Sequence, residues 1–206
     1  MIELGTAPGR TFADLIAELR AAAPNVAIVA VCALQADSVR AAVRAGIEDL
    51  LFYDEMAHSG WNVIREARSR TLRQHVMVLV RVGTHPPGLL RTAMLSALES
   101  ATCVRTAHSL ARLAGCTRAT LYRAASGPAA RSHASNVREV LDWIALTWCL
   151  AIKRRDLSWQ VVAQRAGMDS RTLRALSLRL TGMSLAALEE PGHPTFFEAV
   201  RRWTLP

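Results

Sequence analysis

Two stretches of the chain carry its reading: SLARLAGCTRATLYR at residues 109–123 and QVVAQRAGMDSRTLR at residues 160–174. Both follow one template. A small alanine (Ala111, Ala163) is followed four residues later by glycine (Gly115, Gly167) and then by an apolar residue (Cys116, Met168). A further apolar residue, Leu121 or Leu173, falls on the next helix. Two short helices that cross steeply need a small side chain at their closest approach, and the turn between them needs a residue that accepts positive φ. The apolar positions then hold the second helix against the first and leave its opposite face free. The two glycines stand 52 residues apart (167 − 115), with a long helix predicted between them at about residues 137–154. Val140, Leu141, Ile144, Trp148 and Ile152 mark the apolar side of that helix.

Outward from this pair, the sequence after Thr84 is predicted to be wholly helical: residues 88–101, 107–114, 117–125, 136–153, 159–166, 171–181 and 195–203. Ser158 is placed to cap the helix that starts the second stretch. Val162, Ala166, Met168, Leu173 and Leu176 are predicted core, and the tail residues Phe196, Phe197, Val200 and Trp203 form an apolar face that packs back on the domain. Thr84-His-Pro-Pro-Gly88 is the clearest break, so residues 1–83 and 84–206 are read as two domains. The first has an α/β rhythm. A helix over residues 11–22 precedes an apolar run over residues 26–31, of the kind buried on both faces of a parallel sheet. A helix over residues 36–45 follows, with Asp37 as N-cap and Gly46 past its end, then a short strand over residues 47–53. Residues 60–75 read as a helix with Trp61, Ile64 and Leu72 towards the core, and residues 76–82 as either a strand or its tail. The fold class is therefore mainly α, with a small α/β part at the N-terminus.

The 206 residues are 51% hydrophobic and 20% charged, a globular balance. The net charge of +8 is uneven. Residues 1–60 hold four arginines against eight carboxylates, a net −4; the remainder holds 21 basic against nine acidic residues, a net +12. A basic half points to a polyanionic partner. Cys32, Cys103, Cys116 and Cys149 are scattered singly, without metal-ligand spacing, so neither a metal nor another cofactor is expected. There is no secretory leader and no apolar run of membrane-spanning length, so the expected setting is cytoplasmic, with free thiols and no membrane partner.

The paired stretches and the rod between them resemble the DNA-binding domain of the AraC/XylS family of transcription regulators over about residues 89–190. The segment Asp156-Leu-Ser-Trp-Gln-Val-Val-Ala resembles that family's entry into its second unit, and Leu180-Thr-Gly-Met-Ser-Leu-Ala-Ala-Leu188 resembles its closing turn. The resemblance implies an all-α double helix-turn-helix domain that meets double-stranded DNA in successive major grooves, with RNA polymerase as a second partner. Thr117, Arg118, Thr120, Tyr122 and Arg123 are the candidate DNA-binding residues of the first unit, and Ser170, Arg171, Thr172 and Arg174 those of the second. Arg118 is the candidate for a guanine contact and Tyr122 for packing on sugar or a thymine methyl. Arg131, Lys153, Arg154, Arg155 and Arg179 are assigned to phosphates. His108 and His133 are read as surface or cap residues. The second unit departs from the family: Leu173 and Arg174 stand where aromatic residues are usual, and the span from Gly167 to Gly182 is about one residue short.

The N-terminal part resembles the second half of a response-regulator receiver domain over about residues 1–70. The resemblance is carried by Ala27-Ile-Val-Ala-Val-Cys32, Val39-Arg-Ala-Ala-Val-Arg-Ala-Gly46 and Glu48-Asp49-Leu-Leu-Phe-Tyr53. The family's hydroxyl, Lys and Pro positions fall on Cys32, Tyr53 and Asp54, and the strands that carry its acidic cluster have no room before residue 11. Phosphoryl transfer needs that cluster to hold Mg²⁺ and the Lys to stabilise charge, so no phosphorylation is expected. What is left is a truncated receiver-like surface for docking or for a homodimer, with an open sheet edge. No paired-carboxylate motif, GxSxG or P-loop appears, so an enzyme is not expected. The rival readings are a protein-interaction module of the same fold without DNA binding and a phosphorylation-dependent response regulator.

Overall fold

The structure, a computed structural model, describes residues 12–22, 27–32, 34–47, 49–126, 136–154, 156–189 and 194–205. The chain is mainly helical, with one two-stranded parallel sheet. It divides into two compact units, Met1–Thr71 and Leu72–Pro206. That boundary lies earlier than the expected break at Thr84. Residues 76–82 continue the preceding helix, and Val76, Met77 and Val80 fall at helical spacing into the core of the second unit.

The first unit contains α1 (Phe12–Ala22), β1 (Val29–Cys32), α2 (Ala36–Arg44), β2 (Asp49–Phe52) and the start of α3 (Met56–Val82). β1 and β2 run parallel, from Val29 opposite Asp49 to Cys32 opposite Phe52. Ile16, Ala30, Ala42 and Ile47 form a small core. Within β1 only Ala30 is buried, so this strand is not covered on both faces as its sequence suggested. α2 ends as expected: Gly46 takes φ 70° and donates to the Val43 carbonyl, and Ile47 donates to that of Ala42. Its N-cap is Gln35, not Asp37; Asp37 lies in the first turn and pairs with Arg40 at 3.3 Å. α3 approaches β2 through small residues. Gly60 and Ala67 are buried, a Cβ on Gly60 would lie 3.4 Å from Leu51, and Arg70 pairs with Asp49 at 2.7 Å. Ile64 is 39% exposed and stands outside the core that was expected to hold it. The Trp61 side chain lies outside the described part.

The second unit contains the rest of α3, then α4 (Gly88–Glu99), α5 (Ala107–Leu113), α6 (Arg118–Ala125), α7 (Val137–Ile152), α8 (Trp159–Arg165), α9 (Ser170–Thr181) and α10 (Pro194–Thr204). α7 packs against α4, α5, α6, α8 and α9. Its sequence predicted a single apolar stripe, but Trp143, Ala145, Leu146 and Cys149 are buried as well as Val140 and Ile144. A helix enclosed in this way is apolar nearly all round. α10 covers the core as predicted, with Phe196, Phe197 and Val200 buried. The rings of Trp143 and Trp203 lie 5.4 Å apart, and those of His75 and Phe197 4.4 Å apart. The Thr204 carbonyl accepts from the N–H groups of Thr84 and His85 at 2.9 and 3.1 Å, which fastens the end of α10 to the α3–α4 connection. Among the described residues no helix is long and apolar enough to cross a membrane.

Phe196 is 1% exposed and fills the space beside Trp143. Phe196→Ala is expected to cost about 3–5 kcal/mol of unfolding free energy, read from denaturant titration. A loss below about 1 kcal/mol would show that α10 is not part of the cooperative core.

Candidate functional site

The helix pairs α5–α6 and α8–α9 are built alike, residue for residue, at the 52-residue interval. Thr106 and Ser158 cap the first helix of each pair, accepting from the N–H of Ser109 and Val161. Gly115 and Gly167 end those helices with φ 63° and 69°. Gly115 donates to the Arg112 carbonyl and Cys116 to that of Ala111; Gly167 donates to Gln164 and Met168 to Ala163. This is the paired hydrogen-bond closure in which a left-handed glycine satisfies the last carbonyls and the next residue turns inward. It gives the template a second reason: the alanine supplies the accepting carbonyl, and the apolar residue after glycine covers the turn. Ala111, Ala163, Leu121 and Leu173 are all buried, whereas Met168 is half-buried against the core.

Thr117 and Asp169 then cap the second helices. Thr117 accepts from the Thr120 N–H at 3.1 Å. Asp169 accepts from the Thr172 N–H at 2.7 Å and from its hydroxyl at 2.8 Å. Three residues named as DNA contacts thus also fix local structure: Thr117 as a cap, Thr120 as its partner and Thr172 as the partner of Asp169. Ser170 opens α9, half-buried. Arg118, Tyr122 and Arg123 are exposed on α6, and Arg171 and Arg174 on α9. Tyr122 is 48% exposed, in keeping with a side chain that has no core role. The sequence passed over Leu178, 55% exposed one turn beyond Arg174; an apolar residue on a periodic helix reads as core until its neighbours are known.

The arginines divide by partner. Among the described residues Arg118, Arg123, Arg171 and Arg174 make no ion pair, whereas Arg179 pairs with Asp142 of α7 and Arg154 with Asp156. Lys153, the chain's single lysine, cannot take the phosphate role assigned to it. It is 5% exposed, pairs with Glu189, donates to the Arg154 carbonyl at 2.7 Å and lies 5.1 Å from the centre of the Trp159 ring. A long aliphatic stem led from α7 into the core can be buried with its charge only when such a partner is present. Arg131, Arg155 and His133 lie outside the described residues, and His108 is exposed.

Burial pushes the thiol of Cys103 up to about 11 and that of Cys149 up to about 12, with Arg105 opposing both shifts. Such thiols stay protonated and unreactive near neutral pH. Among the described residues no group of three or more His, Cys, Asp and Glu is arranged to hold a metal ion. The groups this site offers are cations, hydroxyls and one phenol.

Gly167 has open space where a Cβ would go, so only its positive φ resists substitution. Gly167→Ala is expected to lower stability by roughly 1–2 kcal/mol in denaturant unfolding, and a neutral result would remove the conformational argument for the turn. The two Thr172 hydrogen bonds hold the Asp169 carboxyl below the usual aspartate range. A carboxylate with a lowered folded pKa stabilises the fold above its unfolded pKa and stops doing so as pH falls through the folded value. Asp169→Ala should therefore lower the melting temperature at pH 7, and the gap from wild type should narrow between pH 7 and acid below the usual aspartate range. An equal gap at both ends of that range would assign the effect to something other than the charged cap.

No protein family, curated protein or solved structure matches the chain.

Proposed function

We propose that the chain is a sequence-specific, double-stranded DNA-binding transcription regulator, in which α5–α6 and α8–α9 act as two helix-turn-helix units. The observation that carries this reading is the set of exposed arginines without carboxylate partners on the second helix of each pair. A solvated helix face commonly pairs its cations with carboxylates three or four residues away. On α6 and α9 that pairing is missing, and the surplus charge sits on the helix that would enter a major groove. Arg118 is assigned to a guanine edge, Tyr122 to a sugar or thymine methyl, and Arg171 and Arg174 to the equivalent positions of the second half-site. Arg123 and Arg179 remain candidates for phosphates, Arg179 in exchange for Asp142. The first unit serves as a docking or dimer surface: among its described residues the parallel sheet has two strands, each without a second strand partner. RNA polymerase is a candidate partner of the DNA-bound protein.

Selection from a random pool of duplexes should recover a preferred sequence, and binding to it should weaken steeply with salt. A protein-interaction module of the same fold would give neither result. Arg118→Ala should reduce the preference for the selected duplex over random DNA by about 1–3 kcal/mol. An unchanged ratio would remove Arg118 from the base-reading set.

A further inference from the structure

Arg105 belongs to neither recognition helix. It immediately precedes Thr106, the cap of α5, and its Nη1 donates to the Sδ of Met168 at 3.2 Å, in the turn between α8 and α9. Its guanidinium therefore bridges the foot of the first helix pair and the turn of the second. The two pairs otherwise meet mainly through α7, against which both are packed.

This cation is held in an unusual way. Arg105 is half-buried, yet among the described residues no carboxylate pairs with it. The other enclosed cations of the second unit have oxygen acceptors: Lys153 and Arg154 pair with Glu189 and Asp156, and the half-buried Arg73 and Arg91 donate to the Ser100 and Pro86 carbonyls. A thioether is a weak acceptor, and a partly desolvated guanidinium with nothing better leaves most of its fork unsatisfied. The charge also reaches the core thiols Cys103 and Cys149, which cannot neutralise it while protonated. Among the described residues one side of the fork is braced and the remainder has no acceptor. Its complement is a small anion with several oxygens in one plane of approach.

We propose that Arg105 binds a backbone phosphate of the duplex, in the stretch that passes between the two recognition helices. This rests on the DNA-binding reading above. Two helices in successive major grooves leave one crossing of the sugar–phosphate backbone between them, and a cation at the junction of the two helix pairs is the one that crossing would meet. The contact reads no base. It fixes how far along the duplex the second helix pair lands once the first is seated.

The test uses the full chain and the duplex recovered by selection. Wild-type affinity is measured against salt first, and a shallow wild-type slope would sink the DNA-binding reading itself. With that slope established, Arg105→Gln should make log K against log salt shallower by about 0.9, with the ratio of selected to random duplex unchanged. Arg105→Lys, which keeps the charge, should restore the slope. An unaltered slope in Arg105→Gln, or a changed ratio, overturns the proposal. A second measurement does not depend on the variant folding. Neutral methylphosphonate linkages are placed one at a time in the spacer between the two footprints, and one of them should weaken wild-type binding. If none does, Arg105 has no phosphate there and the proposal falls.

Discussion

α7 has almost no solvent face, and the second unit is arranged around that fact. A helix buried on nearly every side must be covered by several neighbours, and α4, both helix pairs and α10 supply the cover. Trp143 shows how the enclosure is completed. It is 2% exposed, and its ring is closed over by Phe196 and Trp203 from the C-terminal helix. The helix pairs are too short to be stable alone, since helices of seven, eight or even twelve residues are marginal against the cost of nucleation. Their order comes from caps, glycine closures and the apolar faces turned towards α7.

With the inner faces occupied, the outer faces of α6 and α9 are released from packing duty. Leu121 and Leu173 anchor the two helices, and what remains outside is polar or cationic apart from Ala119, Ala175 and Leu178. The division among arginines follows from distance to acids. α7 carries Asp142 within reach of Arg179, and Asp156 sits two residues from Arg154, whereas α6 has no acidic residue and α9 has none beyond its cap. Leaving like charges unpaired on a helix face weakens a fold slightly through self-repulsion.

Much of this was legible in the sequence because turns are written in specific residues. Gly46, Gly115 and Gly167 with their apolar successors, and Ser158 before Trp159, mark helix ends through local chemistry that needs no knowledge of the rest of the fold. The misreadings, and the choice left open at residues 76–82, share a different origin. Residues 76–82 alternate like a strand because β-branched residues recur there, and only the core they enter shows them to be helical. The Lys153 side chain looked like a surface cation because its partner Glu189 is 36 residues away. The stripe on α7 was drawn one-sided because periodicity counts apolar positions and not the number of neighbours available to cover them. Arg105 carried no sequence signal, since its position is defined by Met168, 63 residues later.

The 52-residue interval has an evolutionary corollary. Each residue added to a helix turns whatever follows by about 100° and advances it by about 1.5 Å. α7 lies between the two glycine-closed corners, so its length sets their phase, while its composition answers only to volume and apolarity. Drift can exchange one core side chain for another and can rewrite the outer face of either corner independently of its twin. It cannot insert or delete within the rod without turning one corner away from the other, so this lineage would be expected to vary freely in letters and hardly at all in spacing.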